Sequence, residues 1–189
     1  MNELKSYIRT YFETTEESTL QLEDYFSVER LTRNQFHTQA GSRIGKLSFV
    51  KSGFLRVFKQ TDKTEITQWV SSPGEFTADI NAMIFQQPAR VSIQALTECE
   101  LYTLSPEDYR RIQQEIPEWP QIEKRFIGKC FMTMEDRIMS FISMTTEERY
   151  HYFYHHNTTL FQQVPQQYIA SILGMTPETF SRIRAKSIS

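Results

Sequence analysis

Short segments that alternate apolar and polar residues, spaced about ten residues apart between positions 31 and 104, constrain this fold most strongly. The segments are residues 46–50, 53–58, 65–70, 91–96 and 100–104. They are rich in β-branched and aromatic side chains, and no long helical pattern separates them. Strands at this spacing predict an antiparallel barrel or β-roll rather than a parallel sheet with crossover helices.

Helical periodicity replaces this alternation on both sides of the region. Residues 1–30 carry apolar side chains near the 3.6-residue period and are predicted to be helical. After the last strand, Ser105 and Pro106 supply the N-cap and first position of another helix. A longer helix is predicted from Gln121 to about Ser143. The predicted fold class is therefore α+β, with an N-terminal antiparallel β-roll, flanking helices, a long helix and a small C-terminal helical domain.

The long helix has two apolar faces. One face has the 4-3-4-3 spacing of a coiled coil, and its residues are Ile127, Phe131, Met134, Ile138 and Phe141. The other face carries Ile122, Phe126 and Cys130. A helix with two apolar faces packs against two partners, so the pattern predicts that the first face is the seam of a homodimer. Burial of both faces in one monomer core is the alternative.

A helix break is predicted after the long helix, where Thr145 and Glu148 form a capping-box pattern. We place a domain boundary and hinge there. The predicted domains are an effector-type β-roll at 1–116, the dimerisation helix at 117–144 and a C-terminal domain at 145–189.

Residues 164–184 contain start and stop signals for two short helices. Pro165 can begin the first helix, and Gly174 can end it in a left-handed conformation. Thr176 caps the second helix, and Pro177 occupies its first position. Two helices joined by a turn of about three residues form a helix-turn-helix motif.

Apolar residues and charge in this segment agree with a DNA-binding motif. The residues predicted to form a small core are Ile169, Leu173, Met175, Phe180 and Ile183. Residues 165–189 hold three basic side chains and one acidic side chain, although the whole chain has a net charge of -2. A recognition helix exposes its first turns to base edges and brings cations near phosphates. The alternative is a helical hairpin that only packs on the β-roll.

No catalytic or metal-binding pattern is present in the sequence. The 6 glycines form no phosphate-binding loop. Two cysteines, Cys99 and Cys130, are too few for a disulfide scaffold or a four-cysteine iron–sulfur cluster. His151 and His155 share a helix face, but no carboxylate or thiol is spaced to complete a site. An enzyme of the jelly-roll type would need several inward-facing ligands, and the strand region has only His37, so we predict no enzyme and no metal.

We expect no secretory signal, because a charged stretch follows the N-terminus. The sequence also has no apolar run near the ~20 residues that span a bilayer. We therefore expect a cytoplasmic protein without a membrane partner.

These features together resemble the Crp/Fnr family of bacterial transcription regulators, in the short form common in Bacteroidetes, over essentially the whole chain. The most specific part is the pattern Ile-Ala-x-x-Leu-Gly-x-Thr-x-Glu-Thr-x-Ser-Arg at residues 169–182. Residues 51–56 and 73–76 are similar to segments of the family's roll. The resemblance implies a cyclic-nucleotide-binding-like β-roll, a homodimer, and double-stranded DNA and RNA polymerase as partners.

The resemblance places the family's base-reading positions on Pro177, Glu178 and Arg182. Arginine can bind guanine with two hydrogen bonds, and glutamate can accept one from cytosine. Proline offers no donor, so one family contact is lost and the sequence preference should differ. The other implied DNA contacts are Thr176, Thr179, Ser181, Arg184 and Lys186. The β-hairpin wing that often follows in the family is expected to be missing, because the chain stops at Ser189.

An effector pocket in the roll is also implied. Members that bind cyclic nucleotides use a Gly-Glu pair and a downstream Arg-Ser or Arg-Thr, where this chain has Ala78-Asp79 and Arg90-Val91. The added Cβ, the shorter carboxylate and the lost hydroxyl weaken such a site. A different small-molecule effector, or none, is therefore favoured over a cyclic nucleotide. The implied pocket residues are Gly74, Glu75, Ala78, Asp79, Ile80, Arg90, Val91 and, from the long helix, Thr133.

Two functions follow from the sequence. The first is a homodimeric DNA-binding transcription regulator that reads a palindromic site through the second helix of the helix-turn-helix motif. The second is a ligand-sensing β-roll that acts through protein–protein contact without DNA. Salt dependence separates them, because DNA binding weakens steeply as ionic strength rises.

Overall fold

The computed structural model describes residues 2–187. The strands are β1 (Phe26–Leu31), β2 (Phe36–Thr38), β3 (Leu47–Ser52), β4 (Leu55–Gln60), β5 (Glu65–Ser71), β6 (Phe76–Ala78), β7 (Ser92–Ala95) and β8 (Cys99–Leu104). The helices are α1 (Asn2–Phe12), α2 (Glu16–Glu23), α3 (Ile80–Met83), α4 (Pro106–Glu115), α5 (Trp119–Ser143), α6 (Thr146–His156), α7 (Thr158–Gln163), α8 (Gln166–Ile172) and α9 (Pro177–Ser187). None of the helices in this range is long and apolar enough to cross a membrane.

The strands form two antiparallel sheets of four strands each, in the orders β1-β8-β3-β6 and β2-β7-β4-β5. Side chains from both sheets form one apolar cluster. Val50, Leu55, Ile93 and Leu101 are fully buried in it. The predicted antiparallel arrangement is confirmed. Burial alternates along β7, whereas β3 and β8 are buried at consecutive positions, because one face of their sheet lies in this cluster and the other packs against helices.

The prediction of helix for residues 1–30 is wrong after Glu23. Residues from Phe26 to Leu31 form β1, which pairs residue for residue with β8. This pairing satisfies backbone groups along one edge of β8, which is a long-range gain that local periodicity does not reveal. The elements β2, β6, α3 and α7 were not predicted, because three to six residues are too few to establish a period.

A helical layer covers one sheet, and the aromatic ring of Phe12 is central to it. Its centroid lies 6.0 Å from Phe49, 5.6 Å from Trp119 and 5.0 Å from Phe126. Burying one large aromatic side chain stabilises the fold by about 2–3 kcal/mol. These contacts hold the first half of α5 on the roll. They confirm that the face with Ile122 and Phe126 packs within the chain.

Helices α6 to α9 form a second core that also includes Phe54 and Val70 of the roll. The capping box before α6 is confirmed: the Glu148 amide donates to the Thr145 hydroxyl, and the Thr145 amide donates to the Glu148 carboxylate. The helix break after α5 therefore lies where the sequence predicts it. The assignment of 1–116, 117–144 and 145–189 as domains stays a prediction.

Helix α8 lies against β5, the edge strand of its sheet. The Thr67 amide donates to the Ser171 hydroxyl at 2.9 Å, and this hydroxyl donates to the Thr67 carbonyl at 3.2 Å. The Arg56 guanidinium lies between the rings of Phe58 and Tyr168, 4.2 and 4.1 Å from their centroids. One serine side chain thus satisfies two backbone groups of an open strand edge, and a cation–π contact reinforces the junction.

Candidate nucleic-acid interface and effector pocket

The turn between α8 and α9 follows directly from Gly174. Its φ of +68° lies in the left-handed region that glycine adopts without strain. The Met175 amide donates to the Ala170 carbonyl at 2.9 Å, and the Gly174 amide to the Ser171 carbonyl at 3.1 Å. These two bonds form a Schellman motif, which ends α8 and turns the chain toward α9.

Thr176 fixes the start of α9. The Thr179 amide donates to the Thr176 hydroxyl at 3.2 Å, and Pro177 occupies the first helical position. Phe180 and Ile183 point into the second core. The predicted small core is confirmed, because all five of its residues are buried, with Met175 the most exposed at 9%.

The remaining face of α9 is open to solvent. Most of the predicted DNA contacts are exposed, and these are Thr176, Pro177, Glu178, Ser181, Arg182 and Lys186. Thr179 and Arg184 are half-buried. Hydrogen bonds from its own backbone and from Thr176 lower the pKa of Glu178, so this carboxyl is ionised at neutral pH. The face therefore offers one anion in the first turn of α9 and basic side chains further along it.

Arg184 lies beside a cavity of about 280 Å³ that the sequence did not indicate. Tyr150, His151, Tyr154 and His155 of α6 contribute to its lining. The Tyr150 and Tyr154 rings are stacked at 6.2 Å. This arrangement accounts for the partial burial of Arg184, which the other basic residues of α9 do not share.

The second half of α5 has a large exposed apolar face. Phe131 is 69% exposed, and Met134, Ile138 and Phe141 are also exposed. Ile127 differs from these four residues: it is half-buried and packs on the core around Phe12, because α5 is in contact with α1. Sequence analysis missed three further exposed apolar side chains on this half of the helix, namely Met132, Met139 and Ile142.

Phe141 connects this face to the C-terminal helices. The Arg149 guanidinium lies 4.6 Å from its ring centroid, and that of Arg137 lies 6.0 Å from it. Arg137 also donates to the Ile172 carbonyl of α8 at 3.1 Å. Its pKa is lowered by burial. A displacement of α5 would therefore be transmitted to α8 through these contacts.

In the predicted effector pocket, the carboxylate of Asp79 is fully engaged with backbone. One oxygen accepts from the Ala82 amide at 2.9 Å. The other accepts from the backbone amides of Arg90 and Val91 at 2.7 and 3.1 Å. The residue is only 4% exposed. Ala78, Ile80 and Val91 are half-buried around it, whereas Arg90 is exposed.

The other predicted pocket residues lie elsewhere. Gly74 and Glu75 precede β6, whereas Asp79 follows it. The Cα atoms of Glu75 and Asp79 are therefore about 13 Å apart at the rise of an extended strand. Glu75 accepts from the amide and the hydroxyl of Ser72, and burial raises its pKa. The Thr133 hydroxyl is exposed and donates to the Lys129 carbonyl of its own helix. In this single chain Glu75, Asp79 and Thr133 each have separate hydrogen-bond partners, and the effector pocket formed by all eight residues stays a prediction.

A buried polar chain inside the roll was also missed by sequence analysis. His37 is bonded to the Ser48 hydroxyl at 2.8 Å, and Ser48 to the Thr103 hydroxyl at 2.7 Å. Thr103 donates to Glu29, which also accepts from Lys46 at 2.6 Å. Burial, with a smaller contribution from Lys46, lowers the pKa of His37 to about 4. The ring is therefore neutral at pH 7.

The described part of the structure contains no metal centre. No group of three or more His, Cys, Asp or Glu side chains within residues 2–187 could hold a metal ion. Both cysteines are free thiols, and burial raises the pKa of Cys130 to about 11.

Comparison with known proteins identifies the fold. Residues 28–115 match the family model of the cyclic nucleotide-binding domain. No curated protein sequence matches the chain. The c-di-GMP-responsive global regulator CLP of Xanthomonas campestris has a similar structure, with a TM-score of 0.67, 19% identity and 91% of each chain covered.

Two further solved structures are similar along most of their length. The catabolite activator protein of Thermus thermophilus has a TM-score of 0.59 and 18% identity, covering 95% of this chain and 85% of that one. A CooA mutant from Carboxydothermus hydrogenoformans has a TM-score of 0.60 and 18% identity, covering 93% and 81%. Residues 28–115 therefore match the cyclic nucleotide-binding domain family, within a chain whose overall fold is similar to that of Crp/Fnr-type regulators.

Proposed function

We propose that this protein is a homodimeric DNA-binding transcription regulator, in which α8, the Gly174 turn and α9 form a helix-turn-helix motif. The observation that carries the proposal is the open face of α9. Its polar and basic side chains point away from the core, while Phe180 and Ile183 anchor the helix from behind. A reading helix needs this division, because only exposed side chains reach base edges in the major groove.

Glu178 and Arg182 are the proposed base-reading side chains. They are four residues apart and therefore lie on the same face of α9, both exposed. Arg182 suits guanine, and Glu178 in its ionised form suits the amino group of cytosine. Lys186, one further turn along the same face, suits a phosphate. The proposed further contacts to phosphates or the groove edge are Thr176, Thr179, Ser181 and Arg184, while Pro177 gives apolar contact only.

Two copies are proposed to meet through the exposed face of α5. Phe131 and Ile138 are 69% and 54% exposed in the single chain, at heptad positions one repeat apart. A continuous apolar face of this kind is uncommon on a monomer and is typical of an interface between copies. The fold similarity to solved regulators supports the same arrangement. Recognition helices placed one DNA turn apart, ~34 Å, would then read the two halves of a palindrome.

Selection of bound sequences from random duplex DNA, followed by fluorescence anisotropy on the selected site, tests the proposal. We expect Arg182→Ala to weaken binding about 10- to 100-fold and to relax the preference at one base pair in each half-site. Arg43→Ala, which removes an exposed arginine of the roll, is the matched control and should leave both unchanged. Unchanged affinity and preference in Arg182→Ala would remove α9 as the reading helix.

Salt dependence distinguishes DNA binding from the alternative of protein–protein contact. The logarithm of the binding constant should fall linearly with the logarithm of salt concentration, by about 0.9 for each phosphate neutralised. The slope should be less steep by about one for Lys186→Ala, whose base preference should stay unchanged. Failure to recover any duplex sequence would favour a β-roll that acts through another protein.

A further inference from the structure

We infer that the Asp79 carboxylate takes the place of an anionic ligand in the β-roll. In the absence of any small-molecule ligand, it holds the segment between α3 and β7 closed. The inference deepens the proposed function by specifying how the roll of such a regulator works. It concerns the roll alone and can be tested without DNA.

The first argument is the hydrogen bonding of Asp79. Three backbone amides from two separate segments converge on one carboxylate, from Ala82 in α3 and from Arg90 and Val91 before β7. Hydrogen bonds to a charged acceptor are about twice as strong as those between neutral groups. These amides are the donors that an incoming phosphate or carboxylate would need at this place, and the chain already uses them.

The second argument is that the connecting loop is closed on both sides. The Asn81 side chain donates to the Pro88 carbonyl at 2.8 Å. On the other side, the Ala89 amide donates to the Ser42 carbonyl at 2.7 Å, and the Gly41 amide donates to the Ala89 carbonyl at 2.8 Å. The loop is therefore held in the position that keeps its amides on Asp79.

The third argument is the absence of space beneath α3. A Cβ added to Gly45 would lie 2.4 Å from backbone atoms of Ala82 and Met83. The short helix therefore rests directly on the backbone at Gly45. A ligand that displaced the Asp79 side chain would have to lift α3 away from this contact.

The fourth argument is the position of Arg90. Its amide faces Asp79, but its side chain is exposed, and no hydrogen bond or ion pair of its guanidinium is found among residues 2–187. In the closed arrangement the site therefore contains the chain's own anion, with no side-chain cation of residues 2–187 paired with it. A nucleotide phosphate that displaced Asp79 would leave a buried carboxylate without donors, which is strongly unfavourable.

Chemical rescue of Asp79→Ala tests the inference directly. Removing the carboxylate leaves three amides without an acceptor, and we expect the melting temperature to fall by about 5 °C or more. Sodium formate should restore much of this loss by supplying a carboxylate of the missing size, whereas sodium chloride at equal ionic strength should restore less. Formate should not raise the melting temperature of the natural protein, in which the place is already taken.

Asp62→Ala is the matched control, because Asp62 is an exposed carboxylate on the turn between β4 and β5. Its melting temperature should equal that of the natural protein, with or without formate. An Asp79→Ala protein that melts at the natural temperature, or that gains no more from formate than Asp62→Ala does, would overturn the inference.

Calorimetric titration of the natural protein with cyclic AMP, cyclic GMP and cyclic di-GMP provides an independent test. We expect no binding heat from any of them up to millimolar concentration, because the donors are occupied. Saturable binding, with loss of hydrogen-exchange protection at the Ala82, Arg90 and Val91 amides, would overturn the inference. This titration needs no variant, so it decides the matter even where Asp79→Ala does not fold. Either result leaves the DNA-binding proposal to its own tests.

Discussion

The polar side chains inside the β-roll have hydrogen-bond partners within the chain, whereas the apolar and basic side chains on the outer faces of α5 and α9 are exposed. Inside the roll, Asp79 is bonded to three amides and His37 to two hydroxyls. On the helices, the side chains of Phe131, Ile138 and Arg182 are exposed to solvent.

This difference indicates where the chain needs another molecule. Buried polar groups that are already paired gain little from a ligand, because the ligand must first break the existing bonds. Exposed apolar and cationic side chains gain a partner at no such cost. The contrast therefore favours function through a second copy and a nucleic acid over function through a small molecule in the roll. Four changes test it, from the largest expected effect to the smallest.

The first is Ile138→Asp on the exposed face of α5. A carboxylate in an apolar seam is strongly destabilising, so we expect sedimentation velocity to give a monomer where the natural protein gives a dimer. Affinity for a site with two half-sites should fall about 100-fold or more, because the second half-site is no longer bound intramolecularly. Asp136→Ala, on the outward side of the same helix, should leave mass and affinity unchanged. A dimeric Ile138→Asp protein would place the seam elsewhere.

The second change, His37→Gln, tests the roll through the pH dependence of its stability. The pKa of His37 is about 4 in the folded protein, below its ordinary value of 6.5. Between these values the unfolded chain binds a proton that the folded chain does not, so stability is lost as pH falls from 6.5. The contribution of His37 between pH 7 and 4.5 is about 2–3 kcal/mol.

We therefore expect the free energy of unfolding of His37→Gln, measured with urea, to fall less over this range than that of the natural protein. Glutamine can still bond to Ser48 but does not titrate. Burial raises and the partners Lys46 and Thr103 lower the pKa of Glu29, with a net lowering, so this carboxyl remains ionised over most of the window. His156→Gln, at an exposed position, is the control. Equal pH slopes for natural protein and His37→Gln would mean that the ring is protonated in the fold.

The contrast between the two regions also explains what the sequence could predict. The turn at Gly174, the cap at Thr176 and the capping box at Thr145 were predicted correctly, because each depends on residues within four positions of one another. The heptad pattern likewise indicated an apolar face on α5, four of whose five residues are exposed in the single chain, while its role as a dimer seam stays a prediction.

The roll interior was predicted less well, because its bonds join distant parts of the chain. His37, Ser48 and Thr103 meet only once the strand register is known, and the register does not follow from local alternation. The contact of Ser171 with Thr67 spans 104 residues. The resemblance drew attention to Asp79, but it did not predict that its carboxylate accepts hydrogen bonds from three backbone amides of the chain itself.

The third change, Gly174→Ala, tests the turn that orients α9. An alanine at a φ of +68° costs about 1–2 kcal/mol. The new Cβ would also lie 2.8 Å from Cε1 of Phe141, so this ring must move. We expect thermal unfolding to show a loss of about 2 kcal/mol in the free energy of unfolding, with weaker DNA binding.

Gly128→Ala is the control, because Gly128 lies within α5 and no atom lies within 4 Å of a Cβ built there. Alanine is about 0.5–1 kcal/mol better than glycine inside a helix, so this variant should be more stable than the natural protein. Opposite signs for the two substitutions would support the turn geometry. An equal gain in both would show that residue 174 does not need the left-handed conformation.

The fourth change, Ser171→Ala, acts where α8 contacts the edge strand β5 of the roll. Its hydroxyl is the partner of both backbone groups of Thr67, so its removal exposes one position of the β5 edge. We expect a loss of about 1 kcal/mol in the free energy of unfolding, because water replaces part of the lost bonding at this half-buried site. Hydrogen exchange of the Thr67 amide should become faster, while the amides at Asp79 stay protected. Ser181→Ala, on the open face of α9, should change neither quantity, since its hydroxyl is exposed. Faster exchange both at Thr67 and at the amides that donate to Asp79 would mean that the roll depends on α8 for its closure. The roll and the C-terminal helices would then form one cooperative unit, and the roll would not be self-contained.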